Sequence, residues 1–158
     1  EGQEEILGQK HSSTLTTVNN LALLFKKQNK LDEAELLYKR ALEGYEEILG
    51  PKHSSTLISL NNLAGLFETQ NKLDEAELLY KRALEGFEEM LGPNHQYTLY
   101  TKGYLGHCLM LQNNPLGREM VVDAFNNLQE GPNGIKASHP WYTKFTKILL
   151  NIQILIII

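Results

Sequence analysis

HSSTLTTVNNLALLFKKQNKLDEAELLYKRALEGYEEILGPK, residues 11–52, decides the fold of this chain because a near copy follows it directly. Residues 53–94 read HSSTLISLNNLAGLFETQNKLDEAELLYKRALEGFEEMLGPN, and the two segments agree at 33 of 42 positions. A fixed period of this length is typical of stacked repeats, in which each unit buries its apolar face against its neighbours. We therefore take the 42-residue unit as the element from which the chain is built.

The period extends beyond these two copies. Residues 1–10 match residues 43–52 at eight of ten places, which indicates the end of a preceding repeat. Residues 95–138 form a diverged third repeat, and residues 139–158 form a partial fourth repeat or an aberrant C-terminal tail. The aliphatic end ILLNIQILIII is interpreted as a truncated first helix with Leu149 and Leu150 in its core register, and a cut membrane segment is the alternative.

Each repeat contains two helical patterns, because its apolar residues recur at helical spacing in two runs. In the first repeat, residues 28–30 make the turn between them, where Asn29 tolerates the left-handed conformation. Gly50 and Pro51 end the second helix, and the Ser-Ser-Thr cluster after His11 supplies candidate N-caps for the first helix.

Small and large residues alternate in a way that predicts how the two helices of a repeat interlock. The predicted core of the first repeat is Leu21, Phe25, Ala34, Tyr38 and Ala41, with copies 42 residues later. The third repeat departs from this pattern, because Lys102 replaces a large apolar residue and Gly117 or Arg118 falls where a small alanine is expected.

The wording NNLALLF, LDEAELLYKRALE and LGPKH resembles the 42-residue tetratricopeptide repeats of kinesin light chains and of nucleotide-binding sensor proteins with repeat tails. The resemblance implies an all-α solenoid of antiparallel helix pairs that forms a right-handed superhelix. It also implies a scaffold for protein–protein interaction that binds an extended peptide or a partner helix on its concave face. The alternative is a ligand-sensing or accessory segment of a larger nucleotide-binding or other multidomain protein, since HSSTL is closer to the sensor-type arrays.

The same resemblance places the binding residues at five positions on the first helix of each repeat. The first two repeats differ at nine positions, and four of these fall among the five groove positions. Uniform scatter would place about one there, so the variation indicates an interaction surface. The implied peptide-binding residues are Thr16, Asn19, Leu23, Lys26, Lys27, Ile58, Asn61, Glu68, Thr69, Tyr100, His107, Met110, Lys144 and Lys147.

The charges along this surface suggest the chemistry of the partner. Lys26 and Lys27 make the first repeat basic, Glu68 makes the second mildly acidic, and the third carries aromatic and apolar residues. An acidic peptide with an aromatic or bulky apolar anchor would match this order. The alternative for the third repeat is that its apolar residues pack on their own neighbours.

Composition argues against other classes of function. The net charge of -4 and the pI near 5.7 disfavour a nucleic-acid partner. One cysteine, Cys108, and the lack of an apolar run of about 18 residues favour a cytoplasmic protein outside the membrane.

No catalytic motif is present, so we expect neither an enzyme nor a cofactor. The recurring His11, His53, His95 and His139 are interpreted as helix caps, because ligands of one metal ion must converge more closely than successive repeats allow. The neighbours His107 and Cys108 are assigned to packing, and Glu119 with Asp123 to a solvated helix face.

Overall fold

The computed structural model describes residue 8, residues 11–130, residue 143, residues 146–148 and residue 150. Within this part the secondary structure is helical, with no strand. The chain divides into two compact units, residues 1–86 and residues 87–158, of which the first holds most of the two near-identical repeats. The principal helices are α1 (Ser12–Lys27), α2 (Leu31–Leu49), α3 (Ser54–Thr69), α4 (Leu73–Leu91), α5 (Gln96–Leu111) and α6 (Leu116–Glu130).

A left-handed asparagine closes the first helix of each repeat. Asn29 has a φ of 60°, and its N–H donates to the carbonyl of Lys26 at 3.0 Å. The N–H of Lys30 donates to the carbonyl of Phe25 at 2.9 Å, which completes a Schellman motif. Asn71 and Asn113 have the same φ, so the predicted turn is confirmed in all three repeats.

The junction between repeats is built from a glycine, a histidine and a threonine. Gly50 has a φ of 89°, and its carbonyl accepts from the buried Thr56 Oγ1 at 2.8 Å and from the His53 N–H at 3.4 Å. His53 Nδ1 accepts from the N–H of Ser55 at 3.1 Å and so caps α3. The same contacts recur 42 residues earlier and 42 residues later.

These contacts correct one part of the sequence interpretation. The predicted N-caps were serine and threonine, whereas the cap is the histidine that precedes them. An imidazole nitrogen serves as well as a hydroxyl oxygen here, since the orphan N–H groups need only an acceptor within reach. The threonine hydroxyl holds the preceding glycine carbonyl instead, and the histidines are confirmed as caps at positions 11, 53 and 95.

Small residues allow the two helices of a repeat to approach closely. Ala34 and Ala41 on α2 are fully buried, and Tyr38 lies between them at 1% exposure. Gly44 adds a contact that the sequence pattern did not indicate, because a Cβ at this position would lie 2.5 Å from a Leu15 methyl group. The copies Ala76, Tyr80, Ala83 and Gly86 repeat this arrangement against α3.

The prediction that Leu21 belongs to the core is wrong. Leu21 is 40% exposed, whereas its copy Leu63 is 3% exposed, and Phe25 is only half-buried. Helix α3, which carries Leu63, packs on both α2 and α1.

The third repeat uses glycine where the first two use alanine. A Cβ at Gly106 would lie 2.7 Å from the Gly117 carbonyl oxygen, and a Cβ at Gly117 would lie 2.4 Å from the Gly106 carbonyl oxygen. Gly117, and not the exposed Arg118, therefore takes the place of the expected alanine. The smaller Val121, fully buried, stands where the other repeats have tyrosine.

Most of the partial fourth repeat, residues 139–158, lies outside the described residues, as do His139 and Leu149. Ile148 is buried in the same apolar cluster as Leu99 and Leu128. Leu150 is 54% exposed, so its predicted place in a core register is wrong. None of the helices in the described part of the chain is long and apolar enough to cross a membrane.

The close contact within helix pairs predicts the effect of a larger residue at Ala76. We expect Ala76→Leu to overpack the fully buried site and to cost about 1 to 3 kcal/mol. The control Leu78→Ala changes a side chain that is 68% exposed on the same helix. A urea midpoint that falls no further for Ala76→Leu than for Leu78→Ala would contradict the packing.

The histidine cap predicts a second effect on stability. We expect His53→Ala to lower the free energy of unfolding by about 1 kcal/mol, because the Ser55 N–H loses its acceptor. His53→Asn should restore most of this loss, since asparagine is a good N-cap. Equal urea midpoints for the alanine and asparagine variants would show that the cap contributes nothing.

Candidate functional site

The candidate site comprises the predicted positions on the first helices of the two near-identical repeats, which we call the α1/α3 surface. It is formed by five positions on each helix, none of which is buried. Leu23 is the most apolar exposed member on α1, at 42% exposure, and Ile58 is half-buried on α3. The members are Thr16, Asn19, Leu23, Lys26 and Lys27 on α1, and Ile58, Asn61, Gly65, Glu68 and Thr69 on α3.

Lys26 crosses this surface from one repeat to the next. Its Nζ donates to the carbonyl oxygen of Gly65, 39 residues away on α3. Thr69 Oγ1 donates to the same oxygen at 2.9 Å, so two side chains share one acceptor. Lys27 next to it is exposed. The two adjacent lysines therefore have different environments, a difference that the sequence does not reveal.

Asn19 also connects the two repeats. Its Oδ1 accepts from Ser59 Oγ and from Asn62 Nδ2, each at 3.4 Å. The family resemblance assigns Asn19 and Asn61 alike to contact with a peptide. The structure gives Asn19 a role in joining α1 to α3 as well, and it adds Ser59 and Asn62 as neighbours that the sequence analysis missed.

Thr16 is tied to the second helix of its own repeat. Its Oγ1 lies 2.8 Å from the hydroxyl oxygen of the buried Tyr45. The second repeat has Ile58 and Phe87 at these two positions, and neither carries a hydroxyl group. A hydrogen bond needs both partners, so the paired change leaves no buried hydroxyl unsatisfied.

The predicted site residues of the third repeat divide between surface and core. Tyr100 is 6% exposed and belongs to an apolar cluster with Leu99 and Val121, against which Met110 also packs. Burial raises the pKa of Tyr100, and a hydrogen bond from Gln96 partly offsets this. Tyr100 and Met110 thus pack on their own neighbours, as the alternative interpretation held. His107 is half-buried on α5.

Of the two predicted lysines of the fourth repeat, one lies among the described residues. Lys147 is exposed in a helical segment. Lys144 lies outside the described residues. The structure brings Lys26 into contact with Gly65, and we restrict the candidate site to the ten positions on α1 and α3.

Lys102 and Asp123, two polar residues of the third repeat, have structural roles. Asp123 pairs with Lys102, and it also accepts from Asn127 Nδ2 at 3.1 Å. The lysine that replaces an expected apolar residue is thus matched by a carboxylate on the facing helix, whereas Glu119 is exposed.

Cys108 is fully buried. Among the described residues, no group of three or more His, Cys, Asp or Glu side chains is placed to hold a metal ion.

Glu35, on α2, is at the centre of a polar cluster that joins the two repeats. Its carboxylate pairs with Lys39 at 2.6 Å and with Lys72 at 2.9 Å, and it accepts from Gln70 Nε2 at 3.1 Å. The hydrogen bond from Lys39 does most to lower the pKa of Glu35, from 4.5 to about 2. The Glu35–Lys39 pair follows from the spacing of four residues on one helix, whereas the contacts with Lys72 and Gln70 are not visible in the sequence.

The fold defines the class of this protein: it is a helical repeat protein in which pairs of antiparallel helices recur along the chain. Residues 13–89 match the tetratricopeptide repeat family, and this segment consists of tetratricopeptide repeats. No curated protein matches its sequence.

Solved structures of similar fold belong to kinesin light chain-like proteins. The chain resembles BtubC (BKLC) from P. vanneervenii with a TM-score of 0.72 and 22% identity, over 87% of this chain and 57% of that one. It resembles a putative kinesin light chain from Podospora anserina, with nearly identical repeats, with a TM-score of 0.74 and 18% identity, over 85% and 63% of the two chains. The chain thus spans about three fifths of the length of these structures.

The lowered pKa of Glu35 predicts how stability depends on pH. Its contribution is fully present above pH 4.5 and is lost as the pH falls towards 2. At pH 7 we expect Glu35→Gln to lower the free energy of unfolding by about 1 to 3 kcal/mol, since the partly exposed lysines weaken the full effect.

The difference between wild type and Glu35→Gln should shrink towards zero between pH 4.5 and pH 2, as urea unfolding at a series of pH values would measure. The matched control is Glu43→Gln, at an exposed position on the same helix. A pH-independent difference for Glu35→Gln, or an equal loss in Glu43→Gln, would contradict the proposed contribution.

Proposed function

We propose that this protein is an interaction scaffold whose α1/α3 surface binds an extended peptide or a partner helix. The observation that carries the proposal is where the two near-identical repeats differ. Four of their nine differences fall at the ten positions of the α1/α3 surface, which pair into five sites. The helix-pairing alanines are unchanged, so the scaffold is copied while the surface varies.

The exposure of these positions supports the proposal. All ten are exposed or half-buried, although the alanines between the helices are fully buried. Variation at exposed sites alone would not be informative, because exposed residues change at little cost to stability. The exposed acidic residues Asp32, Glu33 and Glu43 are nevertheless identical in the second repeat. Exposure therefore does not account for the concentration of differences on one surface.

The chemistry of the surface favours an acidic partner with an apolar anchor. Lys26 and Lys27 place two positive charges at one end of α1, and Leu23 provides exposed apolar area on the same helix close to them in sequence. Charge steers and selects a partner, whereas a desolvated apolar side chain contributes most of the affinity. A peptide with acidic residues on both sides of an aromatic or bulky apolar residue fits both requirements.

A second proposal is that the chain is an accessory or ligand-sensing segment of a larger nucleotide-binding protein. The wording HSSTL at the start of each near-identical repeat favours it. A phosphate-binding glycine loop elsewhere in the full reading frame would support this proposal, and a heptad coiled coil there would support a kinesin light chain-like scaffold.

The binding proposal predicts the effect of charge reversal. We expect Lys26→Glu, Lys27→Glu to weaken the binding of a fluorescent peptide with glutamates flanking a tryptophan, measured by anisotropy at low salt. The loss should shrink at moderate salt, because ions screen exposed charges beyond about 10 Å at 0.1 M.

The matched control is Lys52→Glu, Arg118→Glu, which changes the net charge equally at exposed positions away from the α1/α3 surface. Its affinity should stay close to that of wild type. If both double variants bind the peptide as wild type does, the basic end of α1 is not a recognition element. If both lose affinity equally, only net charge matters.

A further inference from the structure

Gly65 lies in the interior of α3, where glycine is less favourable than any residue except proline. Its backbone is helical and does not require the left-handed conformation for which glycine is usually retained. The surroundings of its missing side chain offer another reason. A Cβ at Gly65 would lie 3.3 Å from Lys26 Nζ and 3.3 Å from the Tyr80 hydroxyl oxygen.

These distances connect Gly65 to the position of Lys26. The Lys26 ammonium reaches the Gly65 carbonyl oxygen and lies beside the space that a side chain would occupy. A methyl group at position 65 would already press against Lys26 Nζ, and a larger side chain would displace the ammonium group. Lys26 is half-buried, whereas the adjacent Lys27 is exposed, which agrees with a held ammonium group.

Both positions of the Lys26–Gly65 pair differ among the three repeats. Where the second repeat has Gly65, the first has Leu23 and the third has His107. Where the first repeat has Lys26, the second has Glu68 and the third has Met110. Among the three repeats, the lysine therefore occurs once and the glycine once, and the fold brings these two residues into contact.

We propose that Gly65 is a positioning residue that holds Lys26 in place on the α1/α3 surface, and that this pair selects a carboxylate-bearing side chain of the bound peptide. The proposal rests on the proposed function. A held side chain loses less conformational entropy when a ligand binds, so the ligand carboxylate meets a preorganised cation.

The positioning can be tested without any peptide. N-hydroxysuccinimide acetate acylates accessible lysines, and mass spectrometry compares Lys26 with the exposed Lys27 in the same molecule. We expect Lys26 to react more slowly than Lys27 in wild type. The Lys26 to Lys27 rate ratio should rise about two- to tenfold in Gly65→Leu, the range expected for one lost hydrogen bond, and by less in Gly65→Ala.

Gly65→Leu introduces the residue that the first repeat carries at the same position, and circular dichroism checks that the variant remains helical. A rate ratio that is the same in all three proteins would overturn the positioning of Lys26.

The selection of a carboxylate is tested with two peptides, one with glutamates and one with glutamines flanking the same tryptophan. We expect Lys26→Met, the residue of the third repeat, to weaken the glutamate peptide about two- to tenfold. Gly65→Leu should cause a similar loss, and the double variant should lose little more. The glutamine peptide should respond to neither substitution.

The outcomes separate the two proposals. If Lys26→Met weakens the glutamate peptide and Gly65→Leu does not, the positioning role fails while the binding function stands. If Gly65→Leu weakens both peptides equally, the side chain only blocks the surface and the selection fails. If wild type binds neither peptide, the proposed function and the selection fail together, and the acylation rates still decide whether Gly65 holds Lys26.

Discussion

The close approach of the two helices within each repeat is the constraint on which the rest of the structure depends. The alanines of α2 and α4 are fully buried, and Gly44 and Gly86 let leucine side chains of the facing helix pack against the backbone. Interhelical distance is set by the side chains at the contact, so these small residues fix the spacing of each pair. The position of α3 beside α1, and hence the geometry of the α1/α3 surface, follows from that spacing together with the junction between the repeats.

The sequence predicts those features that are local or periodic. The helix pairs, the left-handed turn at Asn29 and the buried alanines all follow from residue type and spacing within about four positions. Exposure of Leu21 was not predictable in this way, because Leu21 and its buried copy Leu63 stand in the same sequence pattern. The histidine cap was foreseen in general terms, but propensity pointed to the serines after it as the capping residues.

The candidate site was less accessible to sequence reasoning, since its contacts join residues about 40 positions apart. Lys26 meets Gly65, and Asn19 meets Ser59 and Asn62, in each case across the boundary between repeats. Comparison of the two repeats located the surface, because differences concentrate there, but it could not show which side chains hold one another. The one signal in the sequence for such a contact was Gly65, a glycine in the interior of a helix at the position where the first repeat has Leu23. Several of these residues thus serve both the scaffold and the surface, and a substitution there is expected to affect stability and recognition together.

The glycine contact of the third repeat has a consequence for how the chain finds its correct pairing. Helices α2 and α4 share nearly the same sequence, and α1 and α3 are also similar. Pairing of a first helix with the second helix of the other repeat is therefore a hazard of near-identical repeats. Helix α5 differs from α1 and α3 at this contact, because it carries Gly106 where they carry alanine. The Gly117 position of α6 approaches the Gly106 carbonyl so closely that even an alanine Cβ would lie at 2.4 Å, and α2 and α4 carry alanine there. At this spacing the contact between α5 and α6 leaves no room for the alanine of α2 or α4, so neither copy could replace α6 on α5 without a larger interhelical distance.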